Sequence, residues 1–427
     1  MITMLCRRGW LFVCVVLLAA GCGGGEDATS PQPSQTTSAA AETTAEAAIP
    51  TSSSSAVPST TAQSPTTGVP ATSTGPTSSA AASDGSDPTS WPLRQKLAQL
   101  LLPGFNAGPG GTSTSPSEVQ ALIDAGAGGV FVGRKEETLF ASSVLTNARA
   151  NTLPPFVATD GEGGQVDLLP SIMEPLPPAG EMAAWDTDRI RAAGASRGTN
   201  LAQRGVTVDF APVLDVAGGT NPLGDRTWSA EPDEVVRTAG AFAEGLCSAG
   251  VLPTFKHFPG HGRADAHGDD APARTPDLAA MEQSDLLPFK EMIASMGDRS
   301  LLMTGHLDVP GLTDGGEPFS LNPEAMKYLR DTMGYDGVTV TDELAEMGAI
   351  TKRGISVPNA VEMALVAGND MALYFGDVDQ MNEVLDHLET VVAEGRLSEA
   401  RVDRSLARIL ALKSSGACAS PIAPQGG

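Results

Sequence analysis

The segment VLPTFKHFPGHG (251–262) starts as a mostly apolar run and ends in a lysine, two histidines and a glycine-rich turn. A short apolar run bounded by turn residues is typical of a strand buried on both faces of a parallel sheet. Lys256 and His257 then stand at the carboxyl end of that strand, where α/β proteins collect polar side chains. The segment therefore predicts a parallel strand with a functional site at its end.

Seven further apolar runs of similar length recur along the chain. They cover residues 98–105, 128–133, 155–160, 206–213, 300–306, 337–343 and 369–375. Amphipathic stretches with helical spacing lie between most of these runs, at 116–124, 187–203, 232–249, 278–296 and 359–367. Strands that alternate with helices in this way indicate an α/β protein.

The alternation alone fits both a closed (β/α)8 barrel and an open doubly wound sheet. Polar side chains favour the barrel, because Asp160, His306 and Asp342 stand at the ends of three other apolar runs. A barrel gathers such groups from several strand ends, whereas an open sheet concentrates them at one switch point. We predict a single (β/α)8 barrel of the TIM type over residues 91–415, a length of about 325 residues that this fold accommodates.

The first 21 residues predict an export signal. Arg7 and Arg8 precede an apolar stretch, Trp10–Ala20, that is too short to remain as a membrane span. The stretch ends in Leu-Ala-Ala-Gly-Cys, which resembles a bacterial lipobox and makes Cys22 the expected site of lipidation. An ordinary secretory signal with an incidental cysteine is the alternative. Lipidation would hold the protein outside the cytoplasm as a membrane-anchored lipoprotein.

The segment after the signal has a different composition. Residues 22–90 are rich in Ser, Thr, Ala, Pro and Gly and have almost no large apolar side chain. Such a segment cannot bury enough apolar surface to offset the entropy lost on ordering. We expect a disordered tether at 22–90 and a flexible tail at 416–427.

Charge and cysteine content restrict the partners. The net charge of −24 disfavours nucleic acid as a partner. Cys247 and Cys418 are the two cysteines beyond Cys22, and in an oxidising compartment they either pair or remain as buried thiols. No Cys or His spacing indicates zinc, and we expect neither a metal nor a cofactor.

The polar strand ends supply candidate catalytic groups. Asp342 directly follows GVTVT (337–341), so its carboxylate can attack an electrophilic carbon at the mouth of the barrel, although a helix cap is an alternative role. Asp160 precedes a glycine-rich turn and suits two hydrogen bonds to adjacent hydroxyl groups of a ligand. Asp265 and His267 follow the histidine-rich turn, and an imidazole titrates near neutral pH.

Five ordered motifs together resemble glycoside hydrolase family 3, and specifically its single-domain β-N-acetylglucosaminidases. They are TDGEGG (159–164), APVLDV (211–216), GDR (224–226), KHFPGHG with the following Asp-Ala-His (256–267) and VTVTDEL (338–344). The resemblance implies that Asp342 is the nucleophile, that His267 is the general acid/base and that Asp265 orients His267. It also implies a set of sugar-binding residues, namely Asp160, Arg226, Lys256 and His257.

The reaction implied by this resemblance is retaining hydrolysis of terminal β-linked N-acetylglucosamine through a covalent glycosyl-enzyme. His267 would first protonate the leaving oxygen and later accept a proton from water, which an imidazole can do near neutral pH. The expected partner is a carbohydrate that contains N-acetylglucosamine, such as a peptidoglycan fragment.

Three other functions remain open at this point. A β-N-acetylglucosaminide phosphorylase would use phosphate in place of water, and a β-glucosidase of the same family would take a sugar without the N-acetyl group. A sugar-binding lipoprotein of a transporter would share the anchor and the α/β alternation but would have two similar lobes and no turnover. The chain also carries Gln165 and Leu168 where the family usually has arginines, which leaves contacts beyond the terminal sugar open.

Overall fold

A computed structural model describes residues 87–105, 115–133, 137–169 and 172–418. The predicted export signal, Cys22, nearly all of the predicted tether and the tail beyond Cys418 lie outside these residues.

Strands and helices alternate along the described chain. The strands are β1 (Leu101–Phe105), β2 (Gly129–Val132), β3 (Phe156–Thr159), β4 (Gly161–Gly163), β5 (Val166–Asp167), β6 (Val208–Asp209), β7 (Leu252–Phe258), β8 (Ala273–Arg274), β9 (Leu301–Thr304), β10 (Leu307–Asp308), β11 (Val338–Thr341) and β12 (Ala372–Phe375). The α-helices are α1 (Leu93–Ala98), α2 (Pro116–Asp124), α3 (Glu137–Phe140), α4 (Val144–Ala148), α5 (Ala179–Met182), α6 (Thr187–Ala202), α7 (Pro232–Ser248), α8 (Leu278–Glu282), α9 (Leu286–Met296), α10 (Pro323–Lys327), α11 (Gly348–Thr351), α12 (Val357–Ala367), α13 (Val378–Ala393) and α14 (Glu399–Ser414).

Eight of the strands form one parallel sheet in the order β11, β9, β7, β6, β3, β2, β1, β12. The first and last of these strands along the chain are neighbours, since Leu101 of β1 pairs with Ala372 of β12. A parallel bridge between Val340 and Met371 joins β11 to the residue before β12 and closes the ring. The predicted single α/β barrel is confirmed, and each of the eight predicted apolar runs contains one of its strands.

Apolar side chains fill the barrel interior, and aromatic rings form part of this packing. Phe131 of β2 packs against Phe210 and Phe375, with ring centroids 5.8 Å and 5.5 Å away. Burial of such side chains provides most of the stabilisation of the sheet. No helix in the described part of the chain combines the length and the apolarity that a membrane span needs.

Two glycines allow helices α6 and α7 to pack very closely outside the barrel. A Cβ atom at Gly194 of α6 would lie 2.3 Å from the carbonyl oxygen of Phe242, and one at Gly245 of α7 would lie 2.2 Å from that of Arg191. A side chain at either position would therefore push the two helices apart.

The predicted helix at 278–296 is two helices, α8 and α9, with a break that ends at Asp285. The Asp285 side chain is fully buried and accepts hydrogen bonds from Arg263, at 3.0 Å from Nε and 2.6 Å from Nη2. The prediction of one helix was wrong because the helical spacing of apolar residues carries no information about a buried ion pair with a residue in another loop.

Cys247 and Cys418 form a disulfide that joins α7 to the segment after α14. The bond connects residues separated by 171 positions in the sequence. Of the two possibilities left open by the sequence, pairing is the one that the structure contains. Cys418 belongs to the predicted tail, so the tail is attached to the barrel at least up to this residue.

Replacement of both cysteines with alanine is expected to lower the free energy of unfolding by about 2–5 kcal/mol, because the disulfide closes a long loop in the unfolded chain. Urea unfolding of the double variant and of the wild type measures this difference. The wild type in a thiol reductant is the matched control and should approach the double variant. Equal unfolding midpoints in all three samples would contradict the prediction.

Candidate active site

The carboxyl ends of the barrel strands bring together the polar side chains that the sequence singled out. Asp160 follows β3, Lys256 and His257 lie in β7, and Asp342 follows β11. Arg226 comes from a short 3-10 turn, Gly224–Arg226, in the connection after β6. These residues meet because parallel strands in a barrel all end at the same face.

Lys256 lies at the centre of an ion-pair cluster. Its Nζ is 2.5 Å from Asp160 Oδ1 and 2.7 Å from Glu162 Oε1. Burial works against the charge of the ammonium group, but the two carboxylates outweigh it and raise the pKa of Lys256 to about 12. Burial in turn raises the pKa of Asp160, although Lys256 opposes this shift.

Glu162 holds Arg226 in the same cluster. The guanidinium group donates two hydrogen bonds, from Nε to Oε2 and from Nη2 to Oε1, each 2.9 Å long. Burial opposes ionisation of Glu162, but Arg226 and Lys256 lower its pKa to about 2. Sequence reasoning did not single out Glu162, although it lies within the TDGEGG motif. The reason is that its partners, Arg226 and Lys256, are far away in the sequence.

Asp215 fixes the orientation of His257. The Asp215 Oδ2 atom is 2.7 Å from His257 Nδ1, and Oδ1 accepts a 2.6 Å hydrogen bond from the backbone N–H of His261. Burial opposes the charge of Asp215, but His257 lowers its pKa below the usual value. On the other side of the ring, His257 Nε2 lies 3.4 Å from Arg226 Nη2. Asp215 was also not singled out, although it belongs to the APVLDV motif.

Asp342 is only partly buried and remains accessible at the mouth of the barrel. Its backbone N–H donates to the Thr304 carbonyl at 2.9 Å, and its Oδ1 accepts from the Glu343 N–H at 3.0 Å. Burial acts to raise its pKa, but His257 and then His306 hold that pKa below its ordinary value of 3.8. The carboxylate is therefore ionised at neutral pH and suited to act as a nucleophile.

Glu343 anchors the loop that carries Asp342. Its carboxylate accepts hydrogen bonds from four backbone N–H groups, those of Ala345, Glu346, Met347 and Phe375. His306 also contacts this loop, with Nε2 2.9 Å from the Glu343 carbonyl and Nδ1 2.6 Å from Ser320 Oγ. These contacts restrict the position of Asp342 at the end of β11.

His267 reaches the cluster from the loop that follows β7. Its Nε2 is 3.5 Å from Arg226 Nη1, and its ring centroid is 5.5 Å from that of His261. Asp265 points elsewhere, since its Oδ1 accepts a 2.8 Å hydrogen bond from the Arg274 N–H. The carboxylate near His267 Nδ1 is instead that of Asp269, at 3.6 Å. The role of Asp265 in orienting His267 thus stays a prediction.

The arrangement suits substitution at a sugar carbon. It contains an ionised carboxylate, an accessible imidazole and a set of buried ion pairs that can bind hydroxyl groups. Within the described residues, no cluster of His, Cys, Asp and Glu side chains forms a metal site.

The chain is similar in sequence to known proteins. The family described as Glycosyl hydrolase family 3 N terminal domain matches residues 92–412. The chain is 37% identical over 334 residues to Beta-hexosaminidase LpqI of Mycobacterium tuberculosis, covering 75% of this chain and 82% of that protein. It is 32% identical over 287 residues to a beta-hexosaminidase of Tolumonas auensis, covering 65% of this chain and 84% of that protein.

Two solved structures have the same fold. A glycosyl hydrolase of family 3 from Mycobacterium smegmatis matches with a TM-score of 0.71 at 36% identity, covering 77% of this chain and 99% of that one. A family 3 β-N-acetylglucosaminidase from a Paenibacillus species matches with a TM-score of 0.69 at 30% identity, covering 79% of this chain and 65% of that one. From these matches and from the motifs in its barrel, we conclude that the chain belongs to glycoside hydrolase family 3.

Proposed function

We propose that this chain is a retaining exo-β-N-acetylglucosaminidase that removes terminal β-linked N-acetylglucosamine through a covalent glycosyl-enzyme. The observation that carries the proposal is the carboxylate of Asp342, whose pKa stays below its ordinary value despite burial because His257, His306 and Lys256 favour its charged form. Relatives named β-hexosaminidases support an N-acetylated sugar as the substrate.

The ion-pair cluster is suited to bind the terminal sugar. The described hydrogen bond of Lys256 to Asp160 uses only the Oδ1 atom, so Oδ2 can accept from a sugar hydroxyl. Arg226 and His257 present further polar atoms beside this position. Since the ion pairs with Glu162 already hold Lys256 and Arg226 in place, little side-chain entropy is lost when the sugar binds.

Asp342 then attacks the anomeric carbon and displaces the leaving sugar. His267 donates a proton to the departing oxygen and afterwards takes one from the water that hydrolyses the glycosyl-enzyme. His261 is less suited to this role, because burial, followed by the nearby His257, lowers its pKa to about 4. Its Nε2 is also engaged, at 3.1 Å from the Ala266 carbonyl.

A comparison of two chromogenic substrates tests the sugar specificity. We expect kcat/KM for 4-nitrophenyl N-acetyl-β-glucosaminide to exceed that for the matching β-glucoside by roughly 100-fold or more. Equal or reversed preference would favour the β-glucosidase, and binding without turnover would favour the sugar-binding lipoprotein. Formation of sugar 1-phosphate in phosphate buffer would identify a phosphorylase.

The stereochemical course is a separate test. A retaining mechanism releases the β-anomer of N-acetylglucosamine first, and proton NMR of the early reaction detects it before mutarotation. Early release of the α-anomer would rule out a glycosyl-enzyme on Asp342.

We further propose peptidoglycan fragments as the natural substrate and the outer surface of the cell membrane as the location. The support is the predicted export signal and lipobox, which would place the barrel next to the cell wall.

Cys22→Ala is expected to release the protein into the medium without changing kcat of the purified enzyme, because no acyl chain can then be attached at this position. Fractionation of cells followed by an activity assay measures the distribution. Alanine substitution of Cys6, which lies within the signal, is the matched control and should leave the protein in the membrane fraction. Retention of the Cys22→Ala variant in that fraction would argue against lipidation.

A further inference from the structure

A second cleft lies at the end of the barrel opposite Asp342. It has a volume of about 280 Å³ and is bordered by residues at the starts of β3 and β7 and by the end of α14. Pro155, Leu252 and Leu412 provide apolar walls, while Arg149 and Lys413 provide two cationic groups. This size is just below the usual range of about 300–1,000 Å³ for small-molecule sites, which are mostly apolar with a few polar groups.

The charge of this cleft differs from that of the protein as a whole. The chain carries a net charge of −24, yet none of the described residues that line the cleft is Asp or Glu. The titratable groups that face it are Arg149, from the segment after α4, and Lys413, because Cys418 is bound in the disulfide. A concave surface with two cations and apolar walls is complementary to an organic anion.

Among the described residues, Lys413 has no carboxylate partner, whereas the buried Lys96 and Lys256 do. Its Nζ donates to Gln99 Oε1 at 2.9 Å and lies 5.1 Å from the centre of the Phe156 ring. By contrast, Lys96 pairs with Asp403 at 2.8 Å, and Lys256 pairs with two carboxylates. Burial without a counter-ion lowers the pKa of Lys413 to about 7.

Arg149 is similarly placed to receive a ligand. It is exposed, and the hydrogen bond described for it runs from Nη1 to the Ala202 carbonyl at 3.0 Å. The rest of its guanidinium group can present further N–H donors to a carboxylate or phosphate. Because α14 ends in this cleft and its last carbonyls carry partial negative charge, the anion must meet these side chains rather than the helix end.

We propose that this cleft is a binding site for a small organic anion, whose oxyanion head contacts Lys413 and Arg149 and whose apolar part packs against Pro155 and Leu412. The anion supplies a counter-ion for Lys413, which none of the described carboxylates provides. Binding is therefore coupled to protonation of the amine: the anion binds the ammonium form and loses affinity when the pH rises and the amine becomes neutral.

Isothermal titration calorimetry of the full enzyme with sodium benzoate and with phenyl phosphate tests the proposal and distinguishes the two head groups. Benzamide, which has the shape of benzoate without its charge, is the matched ligand control. We expect saturable binding of at least one anion at pH 6 and none of benzamide. Benzamide binding as tightly as the anions, or no anion binding at concentrations up to about 10 mM, would overturn the proposal.

Variants of Lys413 test whether this side chain binds the anion and whether its protonation controls the affinity. Lys413→Met is expected to weaken anion binding by about 10-fold or more, whereas Lys290→Met, the same change on an exposed lysine, should have no effect. For the wild type, affinity for benzoate should fall by about 10-fold or more between pH 6 and pH 9, as the fraction of charged Lys413 falls. Lys413→Arg keeps its charge and should remove most of this pH dependence.

Hydrolysis of the chromogenic substrate serves as the folding check, because Lys413 lies away from the catalytic groups. Wild-type kcat together with unchanged anion affinity in Lys413→Met would overturn the assignment. This outcome would leave the proposed hydrolytic function untouched, so the two proposals fail separately.

Discussion

Asp342→Asn is expected to lower kcat on an aryl N-acetyl-β-glucosaminide by roughly four to six orders of magnitude while the fold remains intact. The amide has nearly the shape of the carboxylate, and its oxygen can still accept the hydrogen bond from the Glu343 N–H. What the variant loses is the negative charge that attacks the anomeric carbon. Steady-state rates and the unfolding midpoint, measured on one preparation, separate the two effects.

The control is Asp331→Asn, which makes the same chemical change at an exposed site and should leave kcat unchanged. A mechanism-based fluoro-sugar should label Asp342 and no other carboxylate. Labelling of Asp160, or an active Asp342→Asn enzyme, would remove the assignment.

Since the pKa of Asp342 is held below 3.8, loss of rate between pH 5 and 7 should report a different group.

His267→Ala is expected to reduce kcat/KM far more for a natural disaccharide than for an activated aryl glycoside. The departing oxygen of a β-linked disaccharide needs a proton, whereas a dinitrophenolate leaves largely unaided. We expect a loss of about 1,000-fold on N,N′-diacetylchitobiose and of about 10-fold or less on the dinitrophenyl substrate. The kcat/KM value is the appropriate measure because it reports the steps up to formation of the glycosyl-enzyme.

The neighbouring carboxylates provide the comparison. Asp265→Ala should give a weaker version of the same pattern if Asp265 orients the imidazole during the reaction. If Asp269, 3.6 Å from His267 Nδ1, has that role instead, its alanine variant should give the larger effect. Equal losses on both substrates with an unshifted pH profile would mean that His267 is structural and that the proton comes from another group.

The sequence was most informative about features that belong to a single strand, namely where the strand lies and which residue stands at its end. All eight barrel strands were predicted, and so were the strand ends that carry Asp160, Lys256 and Asp342. These predictions succeed because an apolar run and its polar end are local features. The family resemblance was confirmed by the matches to known proteins, and most of its motifs lie at or just after strand ends.

Local patterns are less informative about side chains whose role depends on distant partners. Glu162 and Asp215 act through Arg226, Lys256 and His257, which are far away in the sequence. The break before α9 exists because Asp285 pairs with Arg263 in another loop. Likewise, the contact of Asp265 with Arg274 depends on how the loop between them folds, and strand periodicity carries no information about it.

Because β1 pairs with β12, the barrel cannot close and the enzyme cannot become active until β12 has formed. The ring stays open until the chain has been synthesised as far as Phe375, because β1, the first barrel strand in the sequence, pairs with β12, the last. An intermediate without β12 would expose the edges of β1 and β11, whose unpaired N–H and C=O groups can pair with other chains. Asp342 lies at the end of β11, beside this seam. During refolding, catalytic activity should therefore recover with the final closure step, and aggregation should compete mainly before it.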